Sequence, residues 1–431
     1  MPLSLAAMPT SPHILVLGCN FAGLTTARYI RAFAGDEVDI TCVDRTPYLT
    51  FVPNIPLEVW HNNNPAEELH LPFVKFLDRD DIRFIHAEVQ GIDVDGRSVE
   101  YTPVERSGSA AESVGYDFLV IALGNNLAFE EIEGFAEHGH TLTDTYYGEK
   151  LRRYLHEGGY KGGPIAVGSD RFVQGHHPDL PLLPEAKAAC EGPPVEIAFS
   201  MAHWLEKHEM GDARSITLFT PAEVIAEDAG EKILDELLPM VEDLGFGYRA
   251  DTEGIERLYE DGIEFEDGSS VEAELKIIFP NWTAHDVVKD LPITDDQGFV
   301  VTGLQMRNPD YPEVFAVGDA ASVTVPKLGS LGHKEAEICA QMLGRAAGAH
   351  EPDEPIPSLE PEVICMGDMG GRKGFYMHTN EWWGGDTSIL KIGYTPHALK
   401  MGFKTIYYTT GGKVPTWGLP LSEFVGDHAL V

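Results

Sequence analysis

Basic residues are scarce in this chain. Its 431 residues carry 31 Lys and Arg against 69 Asp and Glu, a formal net charge of −38. A surface so short of cations does not neutralise phosphates, which excludes nucleic acid as a partner. Self-repulsion on this scale weakens a compact state unless salt screens it, and predicts a high-salt cytoplasm as the source. Cysteine is sparse too. Five residues, an odd number, build no disulfide framework and leave any disulfide a catalytic rather than structural duty. No apolar run reaches the ~18 residues of a membrane-crossing helix. The first twelve residues contain no Lys or Arg, so no secretory signal is read there and the chain is expected inside the cell. Acids in turn vanish from residues 387–422, where Lys391, Lys400, Lys404 and Lys413 remain.

What is present reads as α/β. The length predicts two or three domains. His13 to Leu17 has a buried-strand pattern. Gly18-Cys19-Asn20-Phe21-Ala22-Gly23 then turns the chain into a helix over Leu24 to Phe33, and Val38 to Val43 forms a second strand ending at Asp44. Gly18 permits the tight turn, Gly23 lets helix and strand approach, and the helix start offers N–H groups to a pyrophosphate. Asn20 replaces the usual second glycine and is expected in a left-handed conformation, which asparagine tolerates. Asp44 follows Gly18 at about the distance at which an acid meets an adenosine ribose. A strand closing on Leu123-Gly124, and a later strand ending at Gly318-Asp319, suit contact with the ribityl and pyrophosphate parts of a flavin. Together they point to FAD held across a discontinuous domain, 1–125 plus 286–360.

Residues 126–285 read as a second such unit whose nucleotide site has decayed. Its strand, Pro164 to Gly168, ends in one glycine followed by Ser169, Asp170 and Arg171, not in G-x-G-x-x-G. The chain offers instead Cys190-Glu191-Gly192-Pro193-Pro194-Val195-Glu196 and a helix from Pro194 to Lys207. A thiol at a helix start is expected to favour thiolate, the nucleophilic form. Glu196 in the first turn is expected to cap the helix or to move a proton. Cys365 precedes Met366-Gly367-Asp368-Met369-Gly370-Gly371, glycines that allow a backbone close to a ligand ring. Lys327, in Pro326-Lys327-Leu328-Gly329, is a fixed cation suited to the anionic edge of a reduced flavin. Cys19, Cys42 and Cys339 read as packing residues. His176 and His177 stand too isolated for a metal, and no zinc-like spacing occurs. In the last region, 361–431, Leu399, Phe403, Ile406 and Tyr407 share one helical face flanked by Lys400 and Lys404. Such a helix, with Trp417 beyond it, is expected to lie in a bilayer interface with its lysines at the head groups.

The set resembles the sulfide:quinone oxidoreductase and flavocytochrome c sulfide dehydrogenase branch of the FAD-dependent pyridine nucleotide-disulfide oxidoreductases. C-x-G-P-x-x-E from Cys190 to Glu196, Val363-Ile364-Cys365, and Pro326-Lys327-x-Gly329 after Gly318-Asp319 carry the resemblance. Phe51-Val52-Pro53-Asn54 looks like the segment that passes the flavin. The resemblance implies two Rossmann-like domains, FAD contacts at Gly18, Asn20, Phe21, Ala22, Gly23, Asp44, Arg45, Asn54, Val89, Gly124, Gly318, Asp319 and Lys327, and catalysis by Cys190, Cys365 and Glu196. It implies that Cys190 and Cys365 face the flavin, bridged by a disulfide or sulfur chain. The expected activity is oxidation of sulfide to sulfane sulfur, with electrons passing through FAD to a membrane quinone. The protein is then peripheral, on the cytoplasmic face of the cell membrane, through residues near 397–417; self-association stays open. Phe51 stands where the flavocytochrome branch attaches FAD by a cysteine, so FAD is expected to be non-covalent. The third cysteine and the histidine that many quinone reductases of the group carry are absent from Thr141 to Tyr147, and a second histidine is replaced around Glu227. Two other activities stay open: a type II NADH:quinone oxidoreductase, and a sulfide dehydrogenase serving a cytochrome.

Overall fold

The computed structural model describes residues 11–104, 110–176, 184–348 and 355–412, with 424, 425, 427 and 428. Its first sheet has seven strands in the order Val314–Ala316, Phe118–Ile121, His13–Leu17, Asp39–Asp44, Arg83–Asp93, Ser98–Pro103 and Glu112–Gly115. The first five pair in parallel and the last two extend the sheet antiparallel. Parallel strands buried on both faces need continuous apolar runs, and Ile14, Leu15, Val16 and Leu17 are fully buried. Val314–Ala316 enters this sheet from far along the chain, so one sheet joins two distant segments. Helix α1, Phe21–Ala34, leaves the central strand directly.

The second sheet is parallel throughout: Gly139–His140, Leu275–Phe279, Ile165–Ser169, Ile216–Phe219 and Gly247–Arg249. After Ile165–Ser169 the next described helix is α2 (Gly192–Lys207), and the described residues between them, 170–176 and 184–191, form neither helix nor strand. The Gly168 that ends the strand pattern serves packing, because a Cβ there would collide with the Phe219 carbonyl and ring. Helix α3, Gly329–Ala346, packs against α1, with Gly332 over the Ala22 methyl.

The region after the proline-rich link holds an antiparallel sheet of Val363–Gly370, Lys373–Thr379 and Ser388–Gly393, then helix α4, Tyr394–Thr410. The glycines between 367 and 371 hid the first of these strands from a pattern reading, since glycine is a poor strand former. Cys365 sits within it, opposite Met377. No helix among the described residues is long and apolar enough to cross a membrane.

Candidate functional site: a flavin cradle beside two thiols

Gly18 adopts φ +89°, and a side chain there would collide with the Ala122 carbonyl. A Cβ on Gly23 would strike the Gly18 carbonyl, so helix and strand meet at backbone contact. The expectation for Asn20 fails. It lies in extended backbone, φ −86° and ψ −150°, as the residue before α1, with no side-chain cap on the helix start. A left-handed residue is not needed because Gly18 already makes the sharp turn. Asp44 accepts from the Cys19 N–H at 2.6 Å and from the Thr46 N–H at 2.8 Å. It therefore shapes the turn as well as standing at the end of the second strand. Arg45 is exposed, its carbonyl bonded to His86 Nε2. Val89 is buried in Arg83–Asp93, opposite Tyr101.

Gly318 comes against the same cradle, since a Cβ there would stand 2.8 Å from Ala22 Cβ. Its N–H donates at 2.6 Å to Glu335, a fully buried carboxyl on α3 that also accepts from Thr324 Oγ1. Burial pushes Glu335 up to about 7. Asn125 Nδ2 donates to Asp319 at 3.0 Å. Lys327 is buried rather than exposed. Its ammonium donates to the carbonyls of Asp319 and Ala321 at 2.9 Å each and lies 4.0 Å from the Phe299 ring centroid. Burial lowers it to about 8. Gly124, at φ +73°, faces open space. Asn54 is fully buried, yet neither side-chain polar atom has a hydrogen-bond partner among the described residues. An amide orphaned in this way, together with the uncapped start of α1 and the buried Lys327, suits FAD, whose phosphates and ring edges offer such partners.

The thiols come together at the start of α2. Cys190 is buried and precedes the helix, and Cys365 Sγ stands 3.1 Å from where a Gly192 Cβ would be. Both are free thiols. The expected thiolate is overturned. Burial pushes Cys365 up to about 12 and Cys190 well above its ordinary value, helped by the neighbouring carboxylates Glu196 for Cys365 and Asp228 for both. Desolvation outweighs the helix end because no cation reaches Cys190 among its perturbing groups.

Glu196 does not cap α2. It points across to the C-terminal region, where it pairs with buried Lys400 and accepts the Asp368 N–H at 3.0 Å. Asp368 in turn holds His397 Nδ1 at 2.8 Å. These bonds fasten the Cys365 strand and α4 onto α2. They also overturn the expectation for the lysines of α4. Lys400 is 3% exposed, and Lys404 pairs with Glu58 at 2.7 Å, so neither extends to head groups. Tyr407 is fully buried against Phe21, Phe51 and Phe403, and its hydroxyl bonds His333 Nε2. Tyr407 and Phe403 of this face thus pack on the protein, while Leu399 and Ile406 are half-buried. Trp417 lies outside the described residues.

Sequence reading missed Glu335, His333, Asp368, Glu191 and Asp228. A lone carboxyl or imidazole in an apolar stretch carries no local signal of the distant N–H, hydroxyl or thiol that it meets. His333 illustrates this, since burial lowers it to about 4 and its partners Thr25 and Tyr407 come from α1 and α4.

Comparison with known proteins agrees with this architecture. The family model for pyridine nucleotide-disulphide oxidoreductases matches residues 12–157. The chain is 30% identical over 174 residues to the demethylphylloquinone reductase NdbB of Synechocystis, a match covering 36% of this chain and 42% of that relative's length. It is 24% identical over 408 residues to an NADH dehydrogenase-like protein of Mycobacterium tuberculosis, covering 91% and 93% of the two chains. The solved sulfide:quinone oxidoreductase of Aquifex aeolicus has a similar fold, with a TM-score of 0.79 at 21% identity over 97% of this chain and 96% of that one. Over residues 12–157 the chain thus matches the pyridine nucleotide-disulphide oxidoreductase family, and over nearly its whole length it is similar in fold to the Aquifex aeolicus enzyme.

Proposed function

We propose that this protein oxidises sulfide to sulfane sulfur at Cys190 and Cys365 and delivers the electrons to a quinone. The carrying observation is the pairing of the two thiols at the start of α2, on residues 175 positions apart in the chain (365 − 190). The second sheet supports the same reading. Its central strand ends at Ser169, and the described residues that follow, 170–176, do not make the glycine turn and helix that nicotinamide dinucleotides need.

FAD, when bound, takes up an electron pair and passes it on. The protein's own residues do the rest. Gly18, Gly23 and the start of α1 receive the pyrophosphate, and Asn54 and Asp319 offer polar atoms to the cofactor. Lys327 supplies a positive charge beside the Gly318–Asp319 turn. Cys190 and Cys365, when oxidised to a disulfide, present a sulfur that hydrosulfide attacks. Glu196 acts by position, holding the Cys365 strand against α2 through Asp368 and Lys400. Attachment to the cytoplasmic face of a membrane is part of the proposal, since a quinone is lipid-soluble.

A second reading, NADH:quinone oxidoreductase, is favoured by the Mycobacterium tuberculosis relative, which is similar over nearly its whole length. One anaerobic titration separates the two. Sulfide is expected to bleach the yellow flavin of the purified protein, a soluble quinone to restore the colour, and NADH to do nothing. Bleaching by NADH alone would reverse the assignment.

A further inference from the structure

A small cavity of ≈ 10 Å³ opens beside Cys190, lined by Glu191, Glu227, Asp228, Pro326 and Trp382 among others. Its volume suits about one water-sized molecule. Three carboxyl groups line this one small cavity, and one of them, Glu191, lacks a partner that buried acids normally keep. Glu191 is 3% exposed; one oxygen accepts the Ala226 N–H at 2.7 Å, and the other has no hydrogen-bond partner among the described residues. Asp228 is 7% exposed, and its own backbone N–H favours its charged form. Glu227 is committed differently, accepting the Lys187 N–H at 3.0 Å. Of the three, Asp228 exerts the largest charge effect on Cys190 and also acts on Cys365.

We propose that this cavity is the entry for sulfide, that it admits the neutral molecule and turns away anions, and that Asp228 is the catalytic base that deprotonates it beside Cys190. The inference rests on the sulfide-oxidising reading above. The negative charge that Glu227 and ionised Asp228 place on this small cavity repels hydrosulfide but not hydrogen sulfide. Inside, one S–H bond breaks and its proton passes to an Asp228 oxygen. The hydrosulfide then forms a bond to Cys190 sulfur as the bond between Cys190 and Cys365 breaks. Cys365 leaves with the electron pair as thiolate, and the persulfide stays on Cys190. Burial raises Asp228 to about 7, which matches a proton acceptor to neutral pH. Burial and the neighbouring Glu227 charge raise it against its own backbone N–H, while Lys187 acts on Glu227 and Glu191 lines the same cavity. Glu381 stands on the neighbouring turn beside Trp382, and the two thiols and Asp319 lie toward the cradle.

The test is the anaerobic rate of flavin reduction by sulfide from about pH 5.5 to about pH 8.5 in the holoprotein and in Asp228→Asn and Asp228→Glu. Bleaching by dithionite first verifies that each variant is folded and loaded. At fixed total sulfide the unaltered protein is expected to peak near neutral pH and to slow on the alkaline side as hydrogen sulfide ionises. Asp228→Asn is expected to slow about 100-fold and to lose the acid limb, and Asp228→Glu to recover at least about a tenth of the rate. Labelling of Cys190 gives a readout without turnover. Neutral iodoacetamide is expected to react faster than anionic iodoacetate by about tenfold or more, a preference that shrinks in Asp228→Asn. A rate that climbs with the hydrosulfide fraction, or an Asn variant within about threefold of the unaltered protein, overturns the proposal while the sulfide reading stands. No bleaching of the unaltered protein by sulfide overturns both.

Discussion

At the level of single residues, the two cysteines carry the sharpest consequence. Cys190→Ala and Cys365→Ala are each expected to reduce sulfide-dependent flavin bleaching to below about a tenth, since loss of a nucleophile usually costs orders of magnitude. Stopped-flow absorbance of the loaded variants checks this. Gly23 is constrained in another way, because any Cβ there meets the Gly18 carbonyl. Gly23→Val is expected to purify with less than about a tenth of the usual FAD, measured as flavin released per chain. Both positions were visible in the sequence, because a glycine-rich turn between strand and helix and a cysteine before G-P-P are local patterns. Asp228 and Glu335 were not, since their significance is a burial that only the packed chain creates. The thiol ionisation was misread for the same reason: a helix end is local, whereas the desolvation that outweighs it comes from the whole surround.

Helix α4 shows how an element can be located correctly while its lysines meet partners that its spacing does not reveal. Its apolar spacing predicted a helix near residues 397–408, and the helix runs from Tyr394 to Thr410. The same spacing serves a bilayer or a protein core. Glu196 and Glu58 take up Lys400 and Lys404 within the protein. Lys400→Met would leave Glu196 buried and unpaired, an expected loss of about 3–5 kcal/mol in unfolding free energy. Adding Glu196→Leu should recover most of that loss, because the removal of one partner is what costs. Urea unfolding midpoints of the single and double variants check the difference, and recovery of stability without recovery of sulfide oxidation would separate the helix anchor from the positioning of Cys365.

For the molecule as a whole, charge dominates. With a net charge of −38, the folded state is expected to gain stability as KCl rises from ~0.1 to ~2 M, where the screening length shrinks several-fold. A thermal midpoint unchanged over that range would remove the case for a high-salt source. Buried carboxyls add a pH dependence of known sign. Burial raises Glu191 to about 8 and Asp228 and Glu335 to about 7. Each holds its proton more tightly folded than unfolded, so the native state binds more protons between the unfolded value near ~4 and the folded one. Stability is then greatest below that window and falls as pH rises through it. Melting curves at about pH 5.5 and pH 8 in high salt, where surface repulsion is screened, should retain part of this fall.

The sequence by itself determined what short-range pattern can encode. It showed the strand–turn–helix start, the parallel-strand apolar runs, the missing second glycine fingerprint, the two cysteines and the acid excess. Tertiary structure alone decided which distant groups meet. It drew Val314–Ala316 into the N-terminal sheet, brought Cys365 to the start of α2, turned Glu196 away from its own helix end toward Lys400, and walled Cys190 with carboxyls. The physical reason is range. Dihedral preference and hydrophobic period act over a few residues, whereas desolvation and charge act through space on whatever the fold places nearby.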